Sequence, residues 1–147
     1  MNRYRAISSR SGFTLVELLI VIIVIAVLAA IAIPKFVNSS ARSKEASLHA
    51  DLKLVRDAVE LFHNDTGTFP ASLDSLSATI APANGLDSTG ASSPINAPDW
   101  KGPYVASVPS DPVSAISLIL SVTSPTVGQV NSSASGSDSS GIAFSTY

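Results

Sequence analysis

The chain has 147 residues, room for one small domain. Charged residues make up 14% of it, against the ~25% of soluble domains, and the mean hydropathy is +0.35. These figures exclude a wholly disordered chain, and they exclude an ordinary soluble domain with a charged coat. Arg3, Arg5 and Arg10 stand among the first twelve residues with no acid beside them, and six basic and eleven acidic residues follow. The body has no basic cluster able to neutralise a run of phosphates, so no nucleic-acid partner is expected. Cysteine is absent, which excludes a disulfide framework and a thiolate metal site.

Residues 18–33 read LLIVIIVIAVLAAIAI, and extension back to Phe13 adds only Thr14 and Glu17 as interruptions. At about 1.5 Å per residue, a helix over 13–33 is about 31 Å long, enough to cross about 30 Å of hydrocarbon. The basic residues precede it, which places the N-terminus in the cytoplasm and everything after Pro34 on the other side. A buried core helix is a poor reading, because the rest of the chain could hardly cover so wide an apolar surface. A cleaved secretory signal shares the basic start, but its apolar region runs about 7–15 residues and ends at a small-residue cleavage site. This run is longer and continues into Pro34, Lys35 and Phe36. A retained membrane helix fits best. Glu17 is its informative defect, because a carboxylate in hydrocarbon costs about a few kcal/mol and usually has a partner or a function.

Glu17 does not stand alone. Residues 11–17 read SGFTLVE: Gly12 ends the basic head, Phe13 begins the apolar run, and Glu17 follows one helical turn later. The stretch GFTLVELLIVIIVIAVLAAIAIPKF resembles the N-terminal helix of type IV prepilins and type II secretion pseudopilins. The resemblance implies cleavage by a membrane aspartyl prepilin peptidase between Gly12 and Phe13, and methylation of the new amine on Phe13. It also makes Pro34 the helix-kinking proline of that family. Proline removes the N–H that the carbonyl of Ala30 would bond in a regular helix. The amine of Phe13 on one subunit can pair with Glu17 of a neighbour, and in low dielectric such a pair favours one register of stacking. Glu17 is therefore the candidate assembly residue.

Four segments follow: a basic leader, 1–12; a transmembrane and assembly helix, 13–34; the amphipathic outer half of the same helix, 35–65; and a loop-rich head, 66–147. In the outer half, Ala41, Leu48, Leu52, Val55, Val59 and Phe62 recur at helical steps, with Leu54, Ala58 and Leu61 widening the stripe. Lys53–Asp57 and Arg56–Glu60 are i,i+4 pairs, and Asn64, Asp65 and Gly67 supply stop signals. In the head, seven prolines between Pro70 and Pro112 exclude a long helix. A short helix over 71–80 capped by Ser72, a loop over 84–98, and strands within 100–108, 116–123, 127–131 and 142–146 are expected. The fold class is α+β: a pilin-like long helix packed on a small antiparallel sheet.

The phrases TFPASLDSL and WKGPYVASVPSDP resemble the head of major type II pseudopilins. Val113 and Ser114 stand where those proteins usually have tryptophan and glycine. The resemblance also implies a C-terminal calcium loop, for which Asp138 and the earlier Asp111 are the acids here. Calcium takes six to eight oxygens and usually more than one carboxylate, so no cofactor is expected. His49 and His63 lie about 21 Å apart along a helix, too far to share a metal. No nucleophile elbow or phosphate loop is present, and no catalytic residue is assigned. The N-x-[ST] matches at Asn38, Asn64 and Asn131 carry little weight in so serine-rich a chain.

The sequence thus reads as a structural, non-enzymatic subunit of a pilin-like filament. The first choice is a type II secretion pseudopilin anchored in the bacterial inner membrane with a periplasmic head. The resemblance implies a homopolymer, the prepilin peptidase, an inner-membrane assembly platform and its ATPase as partners. A type IV pilus subunit for adhesion, motility or DNA uptake is the alternative. A reading of another class is a non-assembling single-pass membrane protein with a binding head.

Overall fold

A computed structural model describes residues 12–147. The leader expected over residues 1–12 lies outside the described residues except for Gly12. Helix α1 runs Leu15–Thr66 and includes Pro34. It is followed by a hairpin of β1 (Asn84–Leu86) and β2 (Ser92–Pro94) and by an antiparallel pair of β3 (Ile119–Leu120) and β4 (Val130–Asn131). The chain divides into two compact units, with the boundary between Ser39 and Ser40.

In the first unit, α1 carries one 18-residue window of mean hydropathy 3.3 with none of it buried. Exposure is apolar all round: Leu18, Ile22, Ile25, Leu28 and Ile33 are each more than half exposed. A helix apolar on every side belongs in a membrane or in a larger core, not in water.

The second unit is built on the outer half of α1. Leu48, Leu52, Val55, Val59 and Phe62 are 0–3% exposed, so the 4-3-4-3 spacing read from the sequence is the core seam. Ala58 joins them, because it lies three residues after Val55 and four before Phe62. Leu54 and Leu61 do not, at 50% and 53% exposure. Each stands two residues after a seam position, about 200° around the helix, which turns it to the far side. Ala41 is exposed too, two turns before the seam begins. The head covers the seam with Leu76, Ile95, Val105, Leu118, Val130 and Phe144.

Helix α1 stops where the polar residues indicated. Gly67 takes φ +71°, the left-handed turn that glycine adopts without a Cβ penalty, and its N–H bonds the carbonyl of His63 at 2.8 Å. Lys53 and Asp57 pair at 2.8 Å as expected. Arg56 does not pair with Glu60. Its Nε and Nη2 both donate to the carbonyl of Val130, at 2.9 and 2.6 Å, and tie β4 to the helix.

The head departs from the expected strands in length and place. Residues 84–98, read as a loop, contain the β1–β2 hairpin. The side chain of Asp87 shapes its turn, with Oδ1 accepting from Thr89 N, Thr89 Oγ1 and Ala91 N. Phe69 and Leu86 exchange both backbone bonds, which adds a one-residue bridge to the hairpin. Residues 71–80 form only a 3₁₀ turn, Leu73–Leu76, and Ser72 makes no side-chain cap. Residues 100–108 form no strand. Pro103 and Pro109 lack ladder donors, and Tyr104 and Val105 instead donate to the carbonyl of Leu76. The 116–123 strand shrinks to Ile119–Leu120, and residues 142–146 close in a 3₁₀ turn, Phe144–Thr146. At Gly128, φ is +83° and a Cβ would fall 2.2 Å from the Phe69 ring, so only glycine lets the β3–β4 connection pass over that ring.

Phe62→Ala is expected to cost about 3–5 kcal/mol, and Leu61→Ala less than about 1 kcal/mol, although both were apolar candidates. Denaturant unfolding followed by Trp100 fluorescence checks the contrast.

Candidate assembly site at the helix start

The junction is described from Gly12 onward. Gly12, Phe13 and Thr14 precede α1 in non-helical backbone, and all are exposed. A Cβ on Gly12 would meet nothing within 4 Å among the described residues. Packing therefore does not require glycine at this position, in contrast to Gly128.

Thr14 and Glu17 grip each other across the first turn. The Thr14 N–H and Oγ1 donate to Glu17 Oε2 at 2.8 and 2.9 Å, and the Glu17 N–H donates back to Thr14 Oγ1 at 3.2 Å. This is a reciprocal capping box: Thr14 is the residue before the helix, and Glu17 is its third helical position. An acid there also complements the positive N-terminal end of the helix dipole. Thr14 is the residue that sequence reading missed. The signal was present as T-x-x-E before an apolar run, the spacing that a capping box needs.

The grip leaves half of the carboxylate available. Both bonds fall on Oε2, and among the described residues Oε1 accepts none. An oriented carboxylate with a free oxygen at an exposed helix start can receive a cationic donor. Phe13, four residues before Glu17, is 78% exposed, and Leu15 is 86% exposed. Pro34 lies inside α1, nineteen positions after Leu15, far from this cluster.

The acids of the head serve structure. Asp111 is fully buried. Its Oδ1 accepts from Val113 N and Ser114 N, at 2.8 and 3.1 Å, and its Oδ2 from Ser132 Oγ and Ser133 N, at 2.5 and 3.1 Å. Burial pushes its carboxyl up, but the bonds from Ser132 and the three backbone donors outweigh burial and hold it below the ordinary aspartate range. Asp65 receives Tyr104 Oη at 3.0 Å and Lys101 Nζ at 3.4 Å, so the WKGPY phrase is fastened to the end of α1. The two histidines are apart, each against an aromatic ring: His49 on Tyr147 at 4.4 Å and His63 stacked on Phe69 at 4.2 Å. No group of three or more His, Cys, Asp or Glu that could hold a metal occurs among the described residues.

Because Asp111 is depressed in the folded state, its contribution is full above the unfolded value near 3.8 and is lost as pH falls through the lower folded value. Asp111→Asn is expected to cost about 1–3 kcal/mol near neutral pH and to flatten the loss of stability between about pH 4 and the acid limit. Denaturation midpoints measured against pH check both.

Comparison with known proteins places both halves of the chain. Residues 7–33 match the prokaryotic N-terminal methylation motif, and residues 35–140 match the family described as type II secretion system (T2SS), protein G. The type II secretion system core protein G of Pseudomonas aeruginosa is 28% identical over 104 residues, 70% of this chain and 68% of that protein. The Escherichia coli protein of the same name is 26% identical over 109 residues, 74% of this chain and 70% of its own. The type IV major pilin protein PilA of Myxococcus xanthus is 46% identical over 54 residues, but these are 37% of this chain and 24% of that pilin. No solved structure gives a significant match. The family match covers more than two thirds of the sequence and continues from a methylation motif, so the chain belongs to the type II secretion system protein G family.

Proposed function

We propose that the chain is the major pseudopilin of a type II secretion system, a structural subunit without enzymatic activity of its own. The observation that carries this reading is an apolar helix exposed on all sides, with a capped carboxylate at its start whose Oε1 accepts no hydrogen bond among the described residues, in a chain of the protein G family. Such a helix needs either lipid or copies of itself around it, and a filament subunit uses both in turn.

The steps follow from the junction. The leader is removed after Gly12 by the prepilin peptidase, and Phe13 becomes the methylated first residue. The basic head holds the N-terminus in the cytoplasm, so the head domain lies in the periplasm. In the filament, the amine of Phe13 on one subunit meets the Oε1 side of Glu17 on another. In this reading an inner-membrane platform and its ATPase supply the work of assembly. Of the other readings, the pilus subunit draws support from the pilin relative, but protein G relatives align over about twice the length. The non-assembling membrane protein leaves the N-terminal methylation motif across the Gly12 junction without a purpose.

Mass spectrometry of the protein from membranes with an active prepilin peptidase is expected to show N-methyl-Phe13 as the first residue. Recovery of Met1 would overturn the reading. Glu17→Ala is expected to leave membrane insertion intact and to reduce filament yield about tenfold or more, because an unpaired Phe13 amine is then buried on assembly. Deleting the gene is expected to abolish protein export, whereas loss of surface pili with export intact would favour the pilus subunit.

A further inference from the structure

The protein G family implies a calcium ion in the C-terminal loop of the head, and the residues of this chain do not fit one. Calcium takes six to eight oxygens, commonly with several carboxylates. Asp111 has four donors on its two oxygens, the capacity of a carboxylate, and it is fully buried. Asp138 is the only acid after it, and its oxygens are engaged as well. Oδ1 accepts from Ser140 N and Ile142 N, both at 2.8 Å, and Oδ2 accepts from the Tyr147 hydroxyl.

The same loop is fastened to α1 by a second carboxylate. Glu45 Oε1 accepts from Ser139 N at 2.8 Å, and Oε2 accepts from Ser139 Oγ at 2.6 Å. Glu45 and Asp138 thus hold neighbouring residues of the loop, Glu45 through Ser139 and Asp138 through Ser140 and Ile142, and every bond comes from an N–H or O–H donor. No Lys or Arg occurs in the sequence after Lys101. The Tyr147 hydroxyl is the group that meets Asp138. It bonds Asp138, and its ring rests on His49 of α1 at 4.4 Å and on Phe144 at 5.9 Å. The bond to Asp138, then burial and the charges of Asp138 and Glu45, push the phenol up to about 12, so it keeps its proton across the physiological range.

We propose that Glu45, Asp138 and Tyr147 form a metal-free latch that holds residues 137–147 against α1, so that the head of this protein keeps its stability without calcium. Opening the loop for a cation would require breaking the Tyr147–Asp138 bond and the Asx turn that Asp138 makes with Ser140 and Ile142. The proposal concerns the head alone and is independent of the filament reading.

The test is thermal unfolding of the full-length chain in detergent micelles, read by near-UV circular dichroism, in excess EGTA and in millimolar calcium chloride. The wild-type midpoints are expected to agree within about 1 °C, and Tyr147→Phe, which keeps the ring contacts, is expected to lower both by about 4–8 °C. A calcium-dependent rise beyond about 1 °C that Asp138→Asn abolishes would overturn the latch, as would a Tyr147→Phe midpoint equal to wild type.

Discussion

The apolar surface of residues 13–33 has to be kept from water, and the rest of the structure is arranged around that demand. Each exposed leucine or isoleucine side chain on this helix would gain about 1.5–3 kcal/mol on full burial, and the chain itself covers none of the window. In the proposed function, lipid satisfies the demand for one subunit, and neighbouring helices satisfy it for many. The same surface therefore serves two environments without refolding, as long as the polar groups at its start are handled in both.

The head depends on the other half of the same helix. Its strands are two or three residues long, too short to be stable by themselves. Their order comes from side chains that reach across loops: Arg56 to the carbonyl of Val130, Asp65 to Tyr104 and Lys101, and Asp111 to the segment around Ser132. Much of what a larger sheet would do through ladders is done here by carboxylates and one guanidinium. Polar groups buried with all partners present specify one arrangement, while a missing partner is costly.

The sequence showed what is periodic or local. The seam from Leu48 to Phe62 was legible because 3.6 residues per turn fixes which positions share a face, and the end at Gly67 because glycine suits a left-handed residue. Leu54 and Leu61 were misread because hydrophobicity alone does not reveal that a position has turned past the seam. The β1–β2 hairpin was hidden because its turn is set by the Asp87 side chain and its third member, Phe69, comes from seventeen residues upstream of Leu86. Arg56 was assigned to Glu60 because the helix neighbour is visible in sequence, whereas Val130, seventy-four residues away, is not. At the junction, Gly12 and Glu17 are legible as a motif, and Thr14 is legible through the T-x-x-E spacing of a capping box.

The capping box bears on when the junction can be dehydrated. Among the described residues, the Glu17 charge at the start of α1 is offset by hydrogen bonds from Thr14 and by the helix dipole. With the processing proposed here, a cationic amine appears one helical turn from that carboxylate, and the helix start becomes a zwitterion with no net charge. A stack of such ends can exclude water at a cost that a stack of bare carboxylates could not bear. The cut thus acts as a change of solubility class for one end of the molecule: a charged tip that prefers the interface becomes a neutral pair that tolerates a packed core.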